Sequence, residues 1–177
     1  KLVSTIYMIP VQDMVPEESF TDLKLPGIAV HHTDIMYNAG HPGVEVPHVW
    51  YDPYGLYIQP GQTVRWLNKG LGKTHTATAY HPDNYGRSRR IPVGAPAWDS
   101  GFLLPNESFS VLFEKEGIYD FYCLLHEHAG MVGRIIVGNP DLQDWFSREE
   151  ANKGIPLVAL KAFPAVDKIL KEKIVRV

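Results

Sequence analysis

With one cysteine in 177 residues, the chain has no internal disulfide. Disulfide content therefore says nothing about its redox compartment. No apolar run approaches the roughly 18 residues that a membrane-spanning helix needs. The net charge of −3 is too small to mark a nucleic-acid binder or the acidic half of a strongly cationic partnership. No internal repeat or low-complexity tract breaks the chain. It starts at Lys1 without an initiator methionine, which fits a processed or a trimmed chain, from which any export signal would already be gone. The hydrophobic fraction of 45% is that of an ordinary globular protein, and the length allows one domain with a real core plus extensions.

Glycine, proline and tyrosine are plentiful, which favours short strands and many turns over a helical bundle. The middle of the chain reads as antiparallel β. VEVPHVWYD and GLYIQPG are short strand-like runs. QTVRWLN alternates, with Val64, Trp66 and Asn68 on one side. THTATAY is strand-prone. ESFSVLF alternates with Phe109, Val111 and Phe113 on one face, and GIYDFYC and GRIIVG complete the set. Turn signals at close intervals point to an all-β sandwich over residues 44–138. STIYMIPV is a candidate strand within a segment, 1–43, that reads as an N-terminal arm. Residues 139–177 read as a helical extension. Asn139, Pro140 and Asp141 make a helix start that runs to Gly154, and a second helix carries Val166, Ile169, Leu170 and Ile174 on one face.

The chemistry concentrates in YDFYCLLHEHAGMVG, residues 119–133. Cys123, His126 and Met131 form the pattern C-x2-H-x4-M. A thiolate and a thioether are soft donors that favour Cu(I), and imidazole serves both oxidation states, so the set suits copper that changes valence. A loop between two strand ends can point all three side chains at one centre. A trigonal His2Cys site needs one more histidine, and His75 in GKTHTATAY is the best placed. Taken singly, a lone cysteine is more often a buried structural thiol and a methionine is more often core filler. The spacing of the three together favours ligands.

These residues resemble the cupredoxins, in particular plastocyanin, pseudoazurin, and the halocyanin and auracyanin group. GLYIQPGQTVRWLNKG, HTATAYHP and GIYDFYCLLHEHAGMVGRIIVG carry the likeness, over residues 44–138. It implies a Greek-key β-sandwich of cupredoxin type with one mononuclear type 1 copper. It further implies one-electron transfer rather than catalysis. In that reading Cys123, His75 and His126 form the trigonal plane, and Met131 is a weak axial ligand. Phe121, Leu124 and Val132 are expected to keep the site dry. The alternatives are a copper carrier or accessory protein, and a catalytic mononuclear copper protein. The family commonly has asparagine after the upstream histidine, where this chain has Thr76. His128 is the rival to His126. Its distance from Cys123 fits an azurin-like loop, but its gap to Met131 is one residue too short for one.

Several features lie outside that pattern. His81 reads as a loop histidine. His31, His32, His41 and His48 are a candidate second metal site, for which a polar surface is the simpler reading. Between Lys69 and Arg90, five cations (Lys69, Lys73, Arg87, Arg89, Arg90) face one acid, Asp83. They are expected to form a docking patch for an acidic redox partner or to pair with acids elsewhere. The expected partner is a cytochrome, an oxidase or a reductase complex on the periplasmic or extracellular side. The apolar face of the second helix must be buried, either on the sandwich or, as slightly favoured here, on a partner in a membrane-associated assembly.

Overall fold

The computed structural model describes residues 3–10, 27–37, 45–69, 73–140 and 149–176. Two five-stranded sheets face each other. The first holds β1 (Val3–Pro10), β2 (Gly27–Tyr37), β3 (Glu45–Asp52), β5 (Gln62–Leu67) and β7 (Ser108–Phe113). The second has the order β10 (Ile174–Val175), β4 (Gly55–Ile58), β9 (Val132–Val137), β8 (Gly117–Tyr122) and β6 (Thr78–Ala79). From β3 to β8 each connection carries the chain from one sheet to the other, giving the Greek-key sandwich that the sequence leads one to expect.

Alternation in the sequence becomes the two faces of each strand. In β5, Val64 and Trp66 point inward and Asn68 continues the row just beyond the strand. In β7, serines at 108 and 110 face water while Phe113 closes the core. Val49, Tyr51, Val64, Trp66 and Phe113 from the first sheet meet Leu56, Ile58, Tyr119, Phe121, Ile135 and Val137 from the second. The long connection between β6 and β7 adds Ile91, Ala95, Trp98 and Leu103 to that core without forming a strand longer than a single bridge.

The segment expected to be an arm contributes strands. β1 runs parallel to β5 from Val3 opposite Thr63 to Tyr7 opposite Leu67, and β2 pairs with β3. Val3, Thr5, Ile6, Tyr7 and Ile9 are residue types enriched in strands.

The C-terminal extension folds back on the sandwich, contrary to the expectation of partner docking. Every residue of β9, and all of β8 after Gly117, is buried, which a sheet with one free face does not permit. The outward-facing positions 118, 120, 122, 132, 134 and 136 are covered by the extension. It comprises α1 (Glu149–Asn152), α2 (Leu157–Ala162) and α3 (Val166–Glu172). Ile118 and Ile136 pack with Ala151, Ile169 and Val175. Tyr122 and Val132 pack with Tyr80, Ile155 and Ala159. Of the expected helix over 140–154, residues 141–148 lie outside the described residues, and α1 is its only helical part within them. Ile174, expected on the last helix, belongs instead to β10, which pairs with β4. The chain turns out of α3 at Lys173, where φ is +66°.

Between these packed faces sits a buried ionic cluster. Asp120 on β8 lies opposite Arg134 on β9 in the ladder. Its carboxylate accepts from Arg134 Nε (2.7 Å) and Nη2 (2.9 Å) and from Arg90 Nε (2.9 Å). Arg90 also donates to Asn152 Oδ1 (2.6 Å), Arg134 donates to the Pro164 carbonyl (2.9 Å), and Phe163 stacks beneath both guanidiniums. The cluster ties β8, β9, the β6–β7 connection and the extension together.

Candidate metal centre

At one end of the sandwich two segments meet. His75 is held by a bridge to Leu103, its N–H donating to the Leu103 carbonyl (3.2 Å) and its carbonyl accepting from the Leu103 N–H (2.8 Å). The buried Asn68 amide donates to the carbonyls of Lys73 and Leu103, both at 2.8 Å, anchoring the segment that enters His75 to its bridge partner. The second segment begins where β8 ends. There the chain enters a turn at Cys123, a 3-10 turn follows at Glu127–Ala129, and β9 starts after Met131.

Backbone hydrogen bonds close this loop. Cys123 N–H donates to the Met131 carbonyl (3.0 Å), and the N–H groups of His126 and Glu127 donate to the Cys123 carbonyl (3.1 and 2.9 Å). Met131 N–H donates to the His126 carbonyl (3.1 Å). Gly130, at φ +84°, allows the reversal between the 3-10 turn and β9.

The structure brings His75, Cys123 and His126 together. One donor atom from each lies within 4.8 Å of the others. The Cys123 Sγ is 3.5 Å from His126 Nδ1 and 3.8 Å from His75 Nδ1. His75, Cys123 and Met131 are fully buried, and His126 is partly exposed. Met131 shares the core cluster with Cys123. His128 is exposed and outside the donor cluster. Two imidazole nitrogens and one thiol sulfur are a donor set that fits copper.

Thr76 links the two segments. Its N–H donates to Cys123 Sγ at 3.4 Å. Its hydroxyl accepts from the Leu124 N–H at 2.8 Å and lies 2.9 Å from the Thr78 hydroxyl, which donates to Asp99 Oδ1 at 2.9 Å. Tyr51 donates from its hydroxyl to the Thr76 carbonyl at 2.6 Å. The threonine that departs from the common asparagine thus makes the inter-loop tie itself. Burial pushes the Cys123 thiol above its ordinary pKa, and the N–H of Thr76 pulls the other way by stabilising the thiolate.

Other expectations resolve differently. Phe121 packs edge-on against Tyr51 (4.7 Å) and Trp66 (5.3 Å) in the core that holds Cys123. Leu124 and Val132 belong instead to the cluster under the extension: the pleat of β9 turns Val132 to the sheet's outer face, and Leu124, in the turn after Cys123, packs on the same cluster. The basic stretch is not one free patch. Arg90 joins Asp120, and Arg87 pairs with Glu127 while lying over the Tyr122 ring at 5.1 Å. His81 accepts from the Asp83 N–H at Nδ1, and burial, then the Arg89 charge, lower its pKa. Among the candidate second group, His41 lies outside the described residues, as do the side chains of His31, His32 and His48, whose backbones lie on β2 and β3. Sequence reasoning missed Glu127 and Tyr80. Burial and the Glu127 carboxylate push the Tyr80 phenol well above its ordinary range, so it remains a donor to Glu127.

A β-sandwich with this donor set at one end is a cupredoxin. The sequence model of the copper binding proteins of the plastocyanin/azurin family matches residues 41–138, and the chain belongs to that family. Chloroplastic plastocyanin of Tetradesmus obliquus is 30% identical over 87 residues, 49% of this chain and 57% of its own length. Plastocyanin of Scenedesmus fuscus is 32% identical over 91 residues, 49% of this chain and 85% of its own. The solved structure of pseudoazurin from Methylobacterium extorquens AM1 overlaps 78% of this chain and 94% of its own, at 20% identity and a TM-score of 0.48. Copper is the metal of the family, and His75, Cys123 and His126 are arranged to hold it.

Proposed function

We propose that the chain is a one-electron carrier with a type 1 copper held by His75, Cys123, His126 and, as a weak axial donor, Met131. The observation that carries this reading is the convergence of two imidazole nitrogens and one sulfur within 4.8 Å. Copper bound there supplies a couple between Cu(I) and Cu(II). The residues of the chain do the rest. Cys123 gives up its thiol proton on binding, and the Thr76 N–H directed at its sulfur favours that change. The backbone bonds that close the loop tie Cys123, His126 and Met131 to one another, which limits the movement that a change of charge would demand. Met131 is buried and tied through its carbonyl to Cys123, and as a fourth donor it would leave no open position for a substrate, which favours a carrier over an enzyme.

His126 is the ligand nearest solvent and marks the point of electron exit. Leu125 beside it is 40% exposed. Phe102 and Leu104, at 59% and 55%, flank the Leu103 that bridges His75. This apolar edge suits transient docking of a redox protein, such as a cytochrome, an oxidase or a reductase complex. An exported location follows from that reading. No helix among the described residues is long and apolar enough to cross a membrane.

The test is the visible and EPR spectrum of the copper-loaded chain. An intense thiolate-to-copper charge-transfer band is expected. It should vanish in Cys123→Ser and be lost or transformed in His126→Ala, but survive in His128→Ala. A colourless protein that holds Cu(I) against oxidation would replace this reading with that of a carrier of the metal itself.

A further inference from the structure

The loop between Cys123 and Met131 carries one buried side chain that is not a metal donor, Glu127. A carboxylate is costly to bury unless it is paired and hydrogen-bonded. Glu127 is both. Tyr80 donates its hydroxyl to Oε1 at 2.7 Å, and Arg87 forms an ion pair with Oε2. The Arg87 guanidinium also lies 5.1 Å from the Tyr122 ring and 5.8 Å from the Tyr80 ring. Tyr80 and Tyr122 are themselves stacked, with centroids 4.4 Å apart.

This cluster grips the ligand loop at both flanks. Tyr122 immediately precedes Cys123, and Glu127 immediately follows His126. The Glu127 N–H donates to the Cys123 carbonyl, and its own carbonyl accepts from Gly130 N–H, so both peptide groups of this residue belong to the loop's closing bonds. Gly130 in turn sits under α2, where an added Cβ would touch Val158 Cγ2 and Ala162 Cβ. A side chain fixed at Glu127 therefore fixes the peptide that carries His126.

We propose that Glu127 and Arg87 are positioning residues for the copper site. They hold the His126 imidazole and the return to Met131 in register with Cys123 through the ion pair and its two tyrosines. This rests on the copper reading above. The pair acts through the loop backbone, whose closing bonds include both peptide groups of Glu127.

Two variants test it. Glu127→Gln keeps the shape and can still accept from Tyr80, but it removes the charge that Arg87 pairs with. Arg87→Lys keeps the charge but loses the planar fork and the stacking on Tyr122. In the copper-free chain, amide hydrogen exchange should accelerate by about tenfold at His126, Ala129, Gly130 and Met131, the factor expected for loss of one charge-assisted hydrogen bond. The amides of Ile118 and Ile136 should not change. In the copper-loaded chain, both variants should bind one copper with a shifted ratio of the visible bands and an altered EPR hyperfine splitting. Because Arg87→Lys leaves net charge unchanged, its shift would exclude a purely Coulombic effect. Uniform acceleration of all amides with an unchanged copper spectrum would overturn the proposal, as would variants indistinguishable from the parent in both measurements. If Glu127→Gln fails to fold, Arg87→Lys alone decides. A parent chain lacking the charge-transfer band would sink the copper reading, whereas a parent band with parent-like variants would sink only the clamp.

Discussion

Asp120→Asn should be among the most damaging single-atom changes in this chain. The Asp120 side chain is fully buried, and those of Arg90 and Arg134 are only 5% and 8% exposed. Both oxygens of the carboxylate accept from guanidinium N–H groups at 2.7–2.9 Å. An asparagine of the same shape replaces one oxygen with an NH2 that points donors at donors. Two buried guanidiniums then lose the carboxylate that lies between them. Breaking a buried ion pair from one side costs about 3–5 kcal/mol. Against the roughly 5–15 kcal/mol of a typical domain, that is a large share. At about 2–4 °C per kcal/mol for a chain of this size, the melting temperature should fall by roughly 6–20 °C. The assay is urea and thermal unfolding of the copper-free protein, since bound metal would add its own linkage term. Asp167→Asn, at an exposed position on α3, is the control and should move stability by less than about 0.5 kcal/mol. A loss below about 1 kcal/mol for Asp120→Asn would refute the reasoning, because it would mean that the cluster relaxes or hydrates freely.

Thr76→Val keeps the volume but strands the Leu124 N–H, and it should cost about 1–3 kcal/mol in urea unfolding of the copper-free chain while shifting the charge-transfer band of the loaded one. An unchanged denaturation midpoint would refute the tie between the ligand segments. Met131→Leu should keep the charge-transfer colour and raise the reduction potential measured by voltammetry, since losing a weak donor and excluding water disfavours Cu(II). A lowered potential would count against the axial role. Truncation after Gly138 should give a chain that aggregates or unfolds, because it uncovers Ile118, Tyr122, Val132 and Ile136 together. A stable, monomeric truncated domain by size exclusion and circular dichroism would refute the packing role of the extension.

Much of the cluster that the structure brings together was legible because its signal is local. Cys123 and His126 lie three residues apart, in a run that ends one strand and precedes the next. His75 was legible only through the resemblance and its place after an alternating strand. The inward rows Val64–Trp66 and Phe109–Val111–Phe113 were legible because period-2 alternation is what a half-buried strand requires. The partners of buried charges were not. Nothing in the spacing of Arg90, Asp120 and Arg134 says that they meet, since their juxtaposition is set by the β8–β9 register and by a long connection with no regular pattern. For the same reason the sequence leaves Arg87 between a docking patch and a pairing with an acid elsewhere, since its partner Glu127 lies forty positions on. The helix α2 was missed because Pro156 and Pro164 bracket only a few residues, too short a window for a 3.6-residue period to show.

The least expected feature, a C-terminal extension packed on the second sheet, was written into that sheet's sequence. A strand with one wet face alternates, as β7 does. GRIIVG does not, since Ile135 and Ile136 are adjacent and both fully buried. The same holds across the ladder, where Ile118 and Tyr119 are adjacent and buried. A run of this kind demands cover on both faces. The first sheet covers one, so some segment outside residues 44–138 had to cover the other. The apolar face of α3 is the match: Ile169 lies so close over Gly55 that an added Cβ there would meet it at 2.9 Å. The charged pair Asp120 and Arg134 fits the same logic, because those residues occupy outward positions in the middle of that face. Left uncovered they would be a solvated surface pair. Once sealed by Phe163, they become a desolvated anchor that demands Arg90 and the carbonyl of Pro164 as further partners. The extension and the buried ions therefore require each other. Both lie behind the strand that delivers Cys123, which is how a segment outside the matched family region comes to bear on the ligand loop.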